Sequence, residues 1–277
     1  MVTRRDYTAE AVEAAKRVLI ELAHRLGEYR NDVVVVGGWV PDLLLANPET
    51  PHTGSMDIDL ALDHRQLREE GYRTIRDLLL GGGYRQGPQP STFLRDVLAG
   101  DASIIVEVHF LAGEYGGTGH GRRHQRMPGI QARKARGCDL AFTAPREVRI
   151  EGELPGGRKD SVVVRVASIV PFLVMKGMAL ADRLKEKDPW DIYYCVRYFP
   201  GGLDALAEEF RPHMRRGLVR EGLDKIAAAF ASVDHVGPQS AADFDEVTDP
   251  EARALLCRDA FERIDALLVR LRRSKRR

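Results

Sequence analysis

The sequence predicts an α+β fold in residues 1–167, followed by a helical domain in residues 168–277. Segments typical of strands occur only in the first part: 33–36, 57–62, 103–111, 139–150 and 161–166. Helical periodicity covers most of the second part: 168–186, 188–198, 203–210, 215–231 and 250–273. A hydrophobic content of 44% with 30% charged residues is ordinary for a folded chain of 277 residues, so the chain can bury a sizeable core.

The first elements alternate between helix and strand. Apolar residues recur at helical spacing over 8–28, which predicts an amphipathic helix. Four consecutive valines at 33–36 predict a buried strand. Gly37 and Gly38 end that strand, and a helix is expected over 39–46, because its proline falls in the first turn.

The next elements carry the acidic residues. Polar and apolar residues alternate at 57–62, as in a half-buried strand. A helix is expected over 65–80, and the apolar segment 103–111 predicts another strand. Between residues 113 and 137 the chain is rich in Gly, Arg and His and has no periodicity, which indicates a loop or insertion.

The charge distribution limits how the protein can bind nucleic acid. A net charge of +1 excludes a uniformly basic body, so any nucleic-acid contact must come from local patches. One patch lies in the loop: Arg122, Arg123, Arg126, Arg133, Lys134 and Arg136. A second is the carboxy-terminal tail, where six of the last eight residues are basic, although a frayed and solvated tail would have the same composition.

Cysteine usage and hydropathy indicate the compartment. Cys138, Cys195 and Cys257 are far apart and lack metal-ligand spacing, which favours a reducing cytoplasm over a disulfide framework. The chain begins with a polar segment that does not resemble a signal peptide. No apolar run approaches the roughly 20 residues of a membrane helix. We therefore expect a soluble, cytoplasmic protein with no membrane partner.

Two short patterns point to phosphate chemistry. Gly37 and Gly38 allow a sharp turn and a close approach of the backbone to a ligand, although paired glycines are also common in ordinary turns. Asp57 and Asp59 are alternate residues of a strand and project side by side. Their mutual repulsion would be relieved by divalent cations, since magnesium accepts carboxylate and phosphate oxygens together. Two solvated acids at a strand edge are the alternative.

Glu107 is the candidate for a third acid. It lies at the centre of the apolar strand 103–111, where a charged residue is rarely buried without a partner. If this strand pairs beside Asp57 and Asp59, three carboxylates come together, as in two-metal nucleotidyl transfer. Asp101 competes for this role from a turn, and His109 shares the face of Glu107 as a substrate contact or a structural histidine.

Taken together, these motifs resemble a known superfamily. VVVVGGWVPDLLL, GSMDIDLAL and IIVEVHFL resemble the signature of the polymerase-beta-like nucleotidyltransferases, whose core is a mixed sheet with flanking helices. VASIVPFLVMKGMALADRLKEKDPWDIYYCV further resembles the AbiEii-type branch, the toxin half of toxin–antitoxin pairs. The resemblance covers roughly residues 30 to 200, and its specificity comes from the combination of motifs.

In the first half, the resemblance implies a metal site and a triphosphate pocket. Magnesium or manganese would be held by three acids: Asp57, Asp59 and Glu107. Glu107 would also orient or deprotonate the attacking hydroxyl. Three residues would line the triphosphate pocket: Gly37, Gly38 and Ser55.

In the second half, the resemblance implies that the helical domain completes the site. Lys176 would neutralise triphosphate charge, and Asp191 or Asp188 would act beside it, with Asp191 slightly favoured. Lys176 lies in an apolar helix where an unpaired ammonium is costly, and Arg183 is two turns away on the same face. A solvated helix start is the alternative for Lys187 and Asp188.

Two features depart from the superfamily pattern. The segment 48–51 lengthens the spacing between the glycines and Asp57, and His52 stands near the position where many relatives have an arginine. Both affect the expected nucleotide contacts rather than the metal site. The loop at 113–136 has no counterpart in the pattern.

The predicted function is magnesium-dependent transfer of a nucleoside monophosphate from a nucleoside triphosphate to an acceptor. The resemblance implies RNA, such as a tRNA end, as the acceptor, and a toxin that is relieved by an antitoxin. A small-molecule nucleotidyltransferase, of the kind that modifies antibiotics, is an alternative that an acidic acceptor pocket would favour. A catalytically silent nucleotide- or partner-binding module is the other alternative.

Overall fold

The computed structural model describes residues 2–45, 47, 49–99, 102–114, 129–183 and 185–274. The chain divides into two compact units. The sheet unit comprises Tyr7–Leu44 and Thr53–Ser168, and the helical unit comprises Met1–Asp6, Leu45–His52 and Ile169–Arg277. Two short segments of the helical unit, Met1–Asp6 and Leu45–His52, come from the first part of the sequence. No local sequence pattern indicates that they belong with the later helices.

The sheet unit contains a mixed sheet with flanking helices. Its described strands are β1 Val33–Val36, β2 Asp57–Leu62, β3 Arg85–Gln86, β4 Thr92–Ala99, β5 Ala102–Ala112, β6 Arg133–Lys134, β7 Arg146–Glu153 and β8 Lys159–Val166. Its described helices are α1 Ala9–Arg25, α2 Trp39–Leu44 and α3 Glu69–Gly81. The strand order is β3-β4-β5-β2-β1-β8-β7, and β6 pairs with β5. The β2–β5, β1–β8 and β5–β6 pairs are parallel, and the others are antiparallel.

The centre of the sheet follows the predicted periodicity. The strands predicted at 33–36 and 57–62 are confirmed, and the one predicted at 103–111 is extended by one residue at each end. On β2, Ile58 and Leu60 are buried while Asp57 and Asp59 remain partly exposed. Alternate burial of this kind places the two aspartates on the face opposite the apolar core.

Strand β4 is an element that the sequence pattern does not predict. Its inward positions include Phe93 and Val97, which are buried, but also Arg95. The Arg95 guanidinium forms an ion pair with Glu21 of α1, with Nε 3.0 Å from Oε2. The Arg95 charge interrupts the apolar alternation of the inward face. This charge can be partly buried only because it has a partner on another element.

The described helices of the helical unit are α4 Ile169–Asp182, α5 Lys187–Tyr198, α6 Gly202–Phe210, α7 Gly217–Ala229, α8 Val236–Phe244 and α9 Pro250–Ser274. Five of them match predicted helices, and α8 was not predicted because Gly237 and Pro238 obscure its periodicity. Helices α4 and α7 pack so closely that a Cβ added at Gly177 would lie 2.4 Å from the carbonyl oxygen of Gly222. The described helices include none with both the length and the hydropathy of a membrane span.

Candidate active site

The strand pairing brings two of the predicted acids directly together. β2 and β5 are adjacent and parallel, with Asp57 opposite Glu107 and Asp59 opposite His109. The condition on which the third-acid prediction depended is therefore met. Because directly paired residues of neighbouring strands point to the same face of a sheet, all four side chains lie on one face, called here the acid face.

The acid face is open to solvent. The side chain of Glu107 is 54% exposed and that of Asp57 is 36% exposed. Between them lies His109, whose Nε2 is 3.3 Å from Glu107 Oε2 and 4.0 Å from Asp57 Oδ2. These carboxylates are thus close to each other and accessible to a ligand from solution.

Gly37 makes the turn beside the acid face possible. Its φ is +71°, a left-handed conformation that favours glycine. A Cβ at this position would lie 2.1 Å from Oδ2 of Asp59, so the glycine backbone approaches that carboxylate more closely than any other residue could. Gly38 follows and is buried, and α2 then spans only Trp39–Leu44 with Pro41 inside it. At the start of this helix the Val40 N–H already donates to the Gly37 carbonyl and Pro41 has no N–H, so any phosphate contact here depends on the Gly37–Gly38 turn.

The start of β2 is anchored by two hydrogen bonds. The Ser55 hydroxyl donates to Oδ1 of Asp57. The Trp39 indole N–H donates to the Asp57 carbonyl, at 3.0 Å. Ser55 therefore positions the Asp57 carboxylate, and its predicted contact with the triphosphate stays a prediction.

The acid face fits a divalent cation whose remaining ligands come from the substrate. Among the described residues, no three His, Cys, Asp or Glu side chains are already gathered as a metal-binding group. Magnesium is commonly bound through one or two carboxylates together with water and substrate phosphates, so a complete protein cage is not required. Asp57 and Glu107 supply hard oxygen ligands of this kind, and Asp59 lies on the same face.

Within the helical unit, six charged or polar side chains form a group, called here the ion cluster: His52, Lys176, Arg183, Lys187, Asp188 and Asp191. Lys176 Nζ lies 2.6 Å from Asp188 Oδ1 and 2.6 Å from Asp191 Oδ2. Arg183 Nε contacts Asp188 at 2.9 Å, and Lys187 Nζ contacts Asp191 at 2.9 Å. Every member except Arg183 is buried.

Burial and pairing act in opposite directions on the pKa values of the ion cluster. Burial alone would lower the pKa of Lys176, but Asp188 and Asp191 hold that pKa above its ordinary value. Burial would raise the pKa of Asp191, but Lys176, Lys187 and His52 hold it well below the ordinary value. The pKa of Asp188 is likewise lowered by Lys176 and Arg183 against the effect of burial. Lys176, Asp188 and Asp191 are therefore charged at neutral pH.

The ion cluster corrects two interpretations of the sequence. Lys187 and Asp188 are not a solvated helix start, since they are 3% and 0% exposed. Lys176 and Arg183 do face a common anion, but that anion is the Asp188 carboxylate. Because two carboxylates already satisfy Lys176, its burial requires no ligand, and its predicted contact with triphosphate rests on the resemblance.

His52 is a member of the ion cluster that sequence reasoning did not assign to it. Its Nε2 lies 2.9 Å from Asp191 Oδ1, and its ring contacts the rings of Trp190 and Tyr194. Burial, followed by the charge of Lys187, lowers the pKa of His52 to about 4. The sequence signal was the place of this histidine near the arginine position of the superfamily pattern, which does not reveal a partner 139 residues away.

The low pKa of His52 predicts a loss of stability in acid. Above the ordinary pKa of 6.5 both folded and unfolded states hold a neutral ring, whereas below it only the unfolded state takes up the proton until the pH reaches about 4. We expect this group to cost about 3 kcal/mol of unfolding free energy as the pH falls across that window. Urea unfolding of the wild-type protein and of His52→Gln across the window measures it. Parallel pH curves for the two proteins would contradict the assignment.

Part of the predicted basic loop pairs with β5 beside the acid face. Arg133 and Lys134 form β6 and pair with Leu111 and Ala112 of β5. Leu111 is two residues beyond His109, which pairs with Asp59. Because directly paired residues share a face, Arg133 lies on the acid face, at about 3.3 Å per residue roughly 7 Å along the strand from His109. Arg136 is in an ion pair with Glu114. Several other predicted residues lie outside the described ranges: Asp101, Arg122, Arg123, Arg126, Lys275, Arg276 and Arg277.

Comparisons with protein-family models, with curated proteins and with solved structures find no match to this chain.

Proposed function

We propose that this protein is a magnesium-dependent nucleotidyltransferase, which transfers a nucleoside monophosphate from a nucleoside triphosphate to an acceptor hydroxyl. The observation that carries the proposal is the direct pairing of Asp57 with Glu107 across adjacent parallel strands. The pairing places two accessible carboxylates side by side, next to a glycine turn that comes close to Asp59. Such an arrangement of acids and glycine turn suits a metal-bound triphosphate.

Each residue then has a defined task. Asp57, with Asp59 and Glu107, would hold magnesium or manganese, which when bound supplies positive charge against the triphosphate oxygens. The Gly37–Gly38 turn leaves room for the phosphates because it has no side chain. Glu107 orients the acceptor hydroxyl or accepts its proton while the new oxygen–phosphorus bond forms and pyrophosphate leaves. The contribution of the helical unit to this reaction stays a prediction.

RNA, such as a tRNA end, is the acceptor that we propose first, in a cytoplasmic toxin that a cognate antitoxin neutralises. The support is the resemblance of the motifs together with the basic residues between 122 and 136. The test is incubation with each labelled nucleoside triphosphate, magnesium and total tRNA, resolved on a denaturing gel. We expect label on RNA, and RNA affinity that falls steeply with added salt as phosphate contacts are screened. A flat response to salt would remove RNA as the acceptor.

A small-molecule acceptor is the second candidate, and one observation favours it. The two accessible side chains that pair directly at the candidate site, Asp57 and Glu107, are both acidic. A cationic acceptor, such as an amino sugar with free hydroxyls, would be attracted to Asp57 and Glu107. Transfer of label to an aminoglycoside but not to tRNA would support this candidate. Binding of magnesium and nucleotide without transfer to either acceptor would favour a silent binding module.

A further inference from the structure

His109 lies at the centre of the acid face. It is paired with Asp59 on β2 and with Thr92 on β4, so it stands between two strands in one row across the sheet. In the neighbouring row, Glu107 lies between Asp57 and Leu94. Side chains two residues apart on β5 share a face, so the His109 ring lies beside the Glu107 carboxylate.

Thr92 holds one side of the imidazole ring. Its Oγ1 lies 3.1 Å from His109 Nδ1, and the residue is 2% exposed. The Thr92 backbone is fixed by the hydrogen bonds of the adjacent turn: its N–H donates to the Gln89 carbonyl, and its own carbonyl accepts from Gly87 N–H and the Gln86 side chain. A buried β-branched residue anchored in this way has little rotational freedom, so it provides a rigid support.

The other ring nitrogen contacts the carboxylate. His109 Nε2 lies 3.3 Å from Glu107 Oε2, while the Glu107 side chain is otherwise half-exposed. If the Thr92 hydroxyl donates to Nδ1, then Nε2 carries the proton of a neutral ring and donates it to Glu107. The opposite tautomer would place a nitrogen lone pair against a carboxylate oxygen, which is unfavourable.

We propose that His109 is a positioning residue: it takes its orientation from Thr92 and holds the Glu107 carboxylate beside Asp57. The inference rests on the proposed function, because holding Glu107 matters for activity only if the acid face is the catalytic site. Glu107 is a long side chain at an exposed position, and it would otherwise sample several rotamers. The N–H of a ring that Thr92 holds in place keeps the Glu107 carboxylate in one rotamer, as outer-shell partners do for metal-binding carboxylates.

The variants separate a donor role from a role in packing. His109→Leu removes the donor, whereas His109→Gln keeps an N–H at a similar distance from the backbone. Thr92→Val removes only the hydroxyl and keeps the shape of the side chain. The matched control is His24→Leu, since His24 on α1 makes a similar contact, 3.2 Å from Asp160, outside the candidate site.

The expected result is a fall in kcat of about 10- to 100-fold in His109→Leu, with nucleotide affinity much less affected. His109→Gln should recover most of the activity, and Thr92→Val should lower kcat in the same direction, with a double variant that is less than additive. Activity of His109→Leu equal to that of His24→Leu would overturn the inference while the proposed function stands. Full activity of Asp57→Ala would instead overturn the proposed function.

A second measurement does not require turnover. Nitrogen NMR of the His109 ring at about pH 8 distinguishes the two neutral tautomers. We expect the proton on Nε2 in the wild-type protein and a mixture of tautomers in Thr92→Val. A proton on Nδ1 in the wild-type protein would overturn the inference whatever the activity assays give.

Discussion

Replacing Asp57 with alanine is expected to abolish nucleotidyl transfer, with a loss of about 1,000-fold or more. The variant removes a carboxylate that lies directly opposite Glu107, and metal-assisted charge stabilisation contributes several kcal/mol to a transition state. The folded state should be retained, because Asp57 is partly exposed and its removal relieves repulsion between acids. Transfer of labelled nucleotide, measured with the acceptor found in the gel assay, gives the loss, and circular dichroism checks the fold.

The control for this prediction is Asp96→Ala. Asp96 is also an accessible acid of the sheet, but it lies on β4 in an exposed ion pair with Arg85. Transfer by this variant should stay within about twofold of the wild type, since exposed ion pairs contribute little. Equal losses in the two variants would mean that the effect is one of general surface charge, and the metal site would have to be abandoned.

Replacing Asp191 with alanine is expected to cost about 3–5 kcal/mol of unfolding free energy. The Asp191 side chain is fully buried and contacts Lys176, Lys187 and His52. Its removal leaves two buried ammonium groups with one carboxylate fewer, and an uncompensated buried charge is strongly destabilising. Urea unfolding monitored by tryptophan fluorescence measures the loss, because Trp190 is next in sequence and packs against His52.

Two further variants show whether charge or volume causes this loss. Asp191→Asn keeps the size of the side chain and should still lose most of the stability, since the charge is what pairs the lysines. Asp204→Ala, at an exposed ion pair with Arg270 on the same unit, should unfold like the wild-type protein. An Asp191→Ala protein as stable as Asp204→Ala would show that the ion cluster contributes nothing to the fold.

The elements that were predicted from the sequence share a physical property. The four valines of β1 and the alternation of β2 bury their apolar faces against neighbouring elements, so their local pattern already reflects their environment. Strand β4 was not predicted because Arg95 interrupts its apolar alternation. Arg95 can lie on the inward face only because it pairs with Glu21, which is 74 residues away in sequence. Residues that depend on one distant partner leave no local signal.

The sequence by itself determined the periodic elements around the candidate site, the side-by-side placement of Asp57 and Asp59, and the turn at Gly37 and Gly38. These features follow from strand geometry and backbone sterics, which act over a few residues. Only the tertiary structure decided that Glu107 pairs with Asp57, that Thr92 supports His109, and that Lys176 is neutralised by two aspartates and not left for a ligand. Those features depend on the order of strands in the sheet and on charges that meet through burial, and both are set by the packing of segments far apart in the chain.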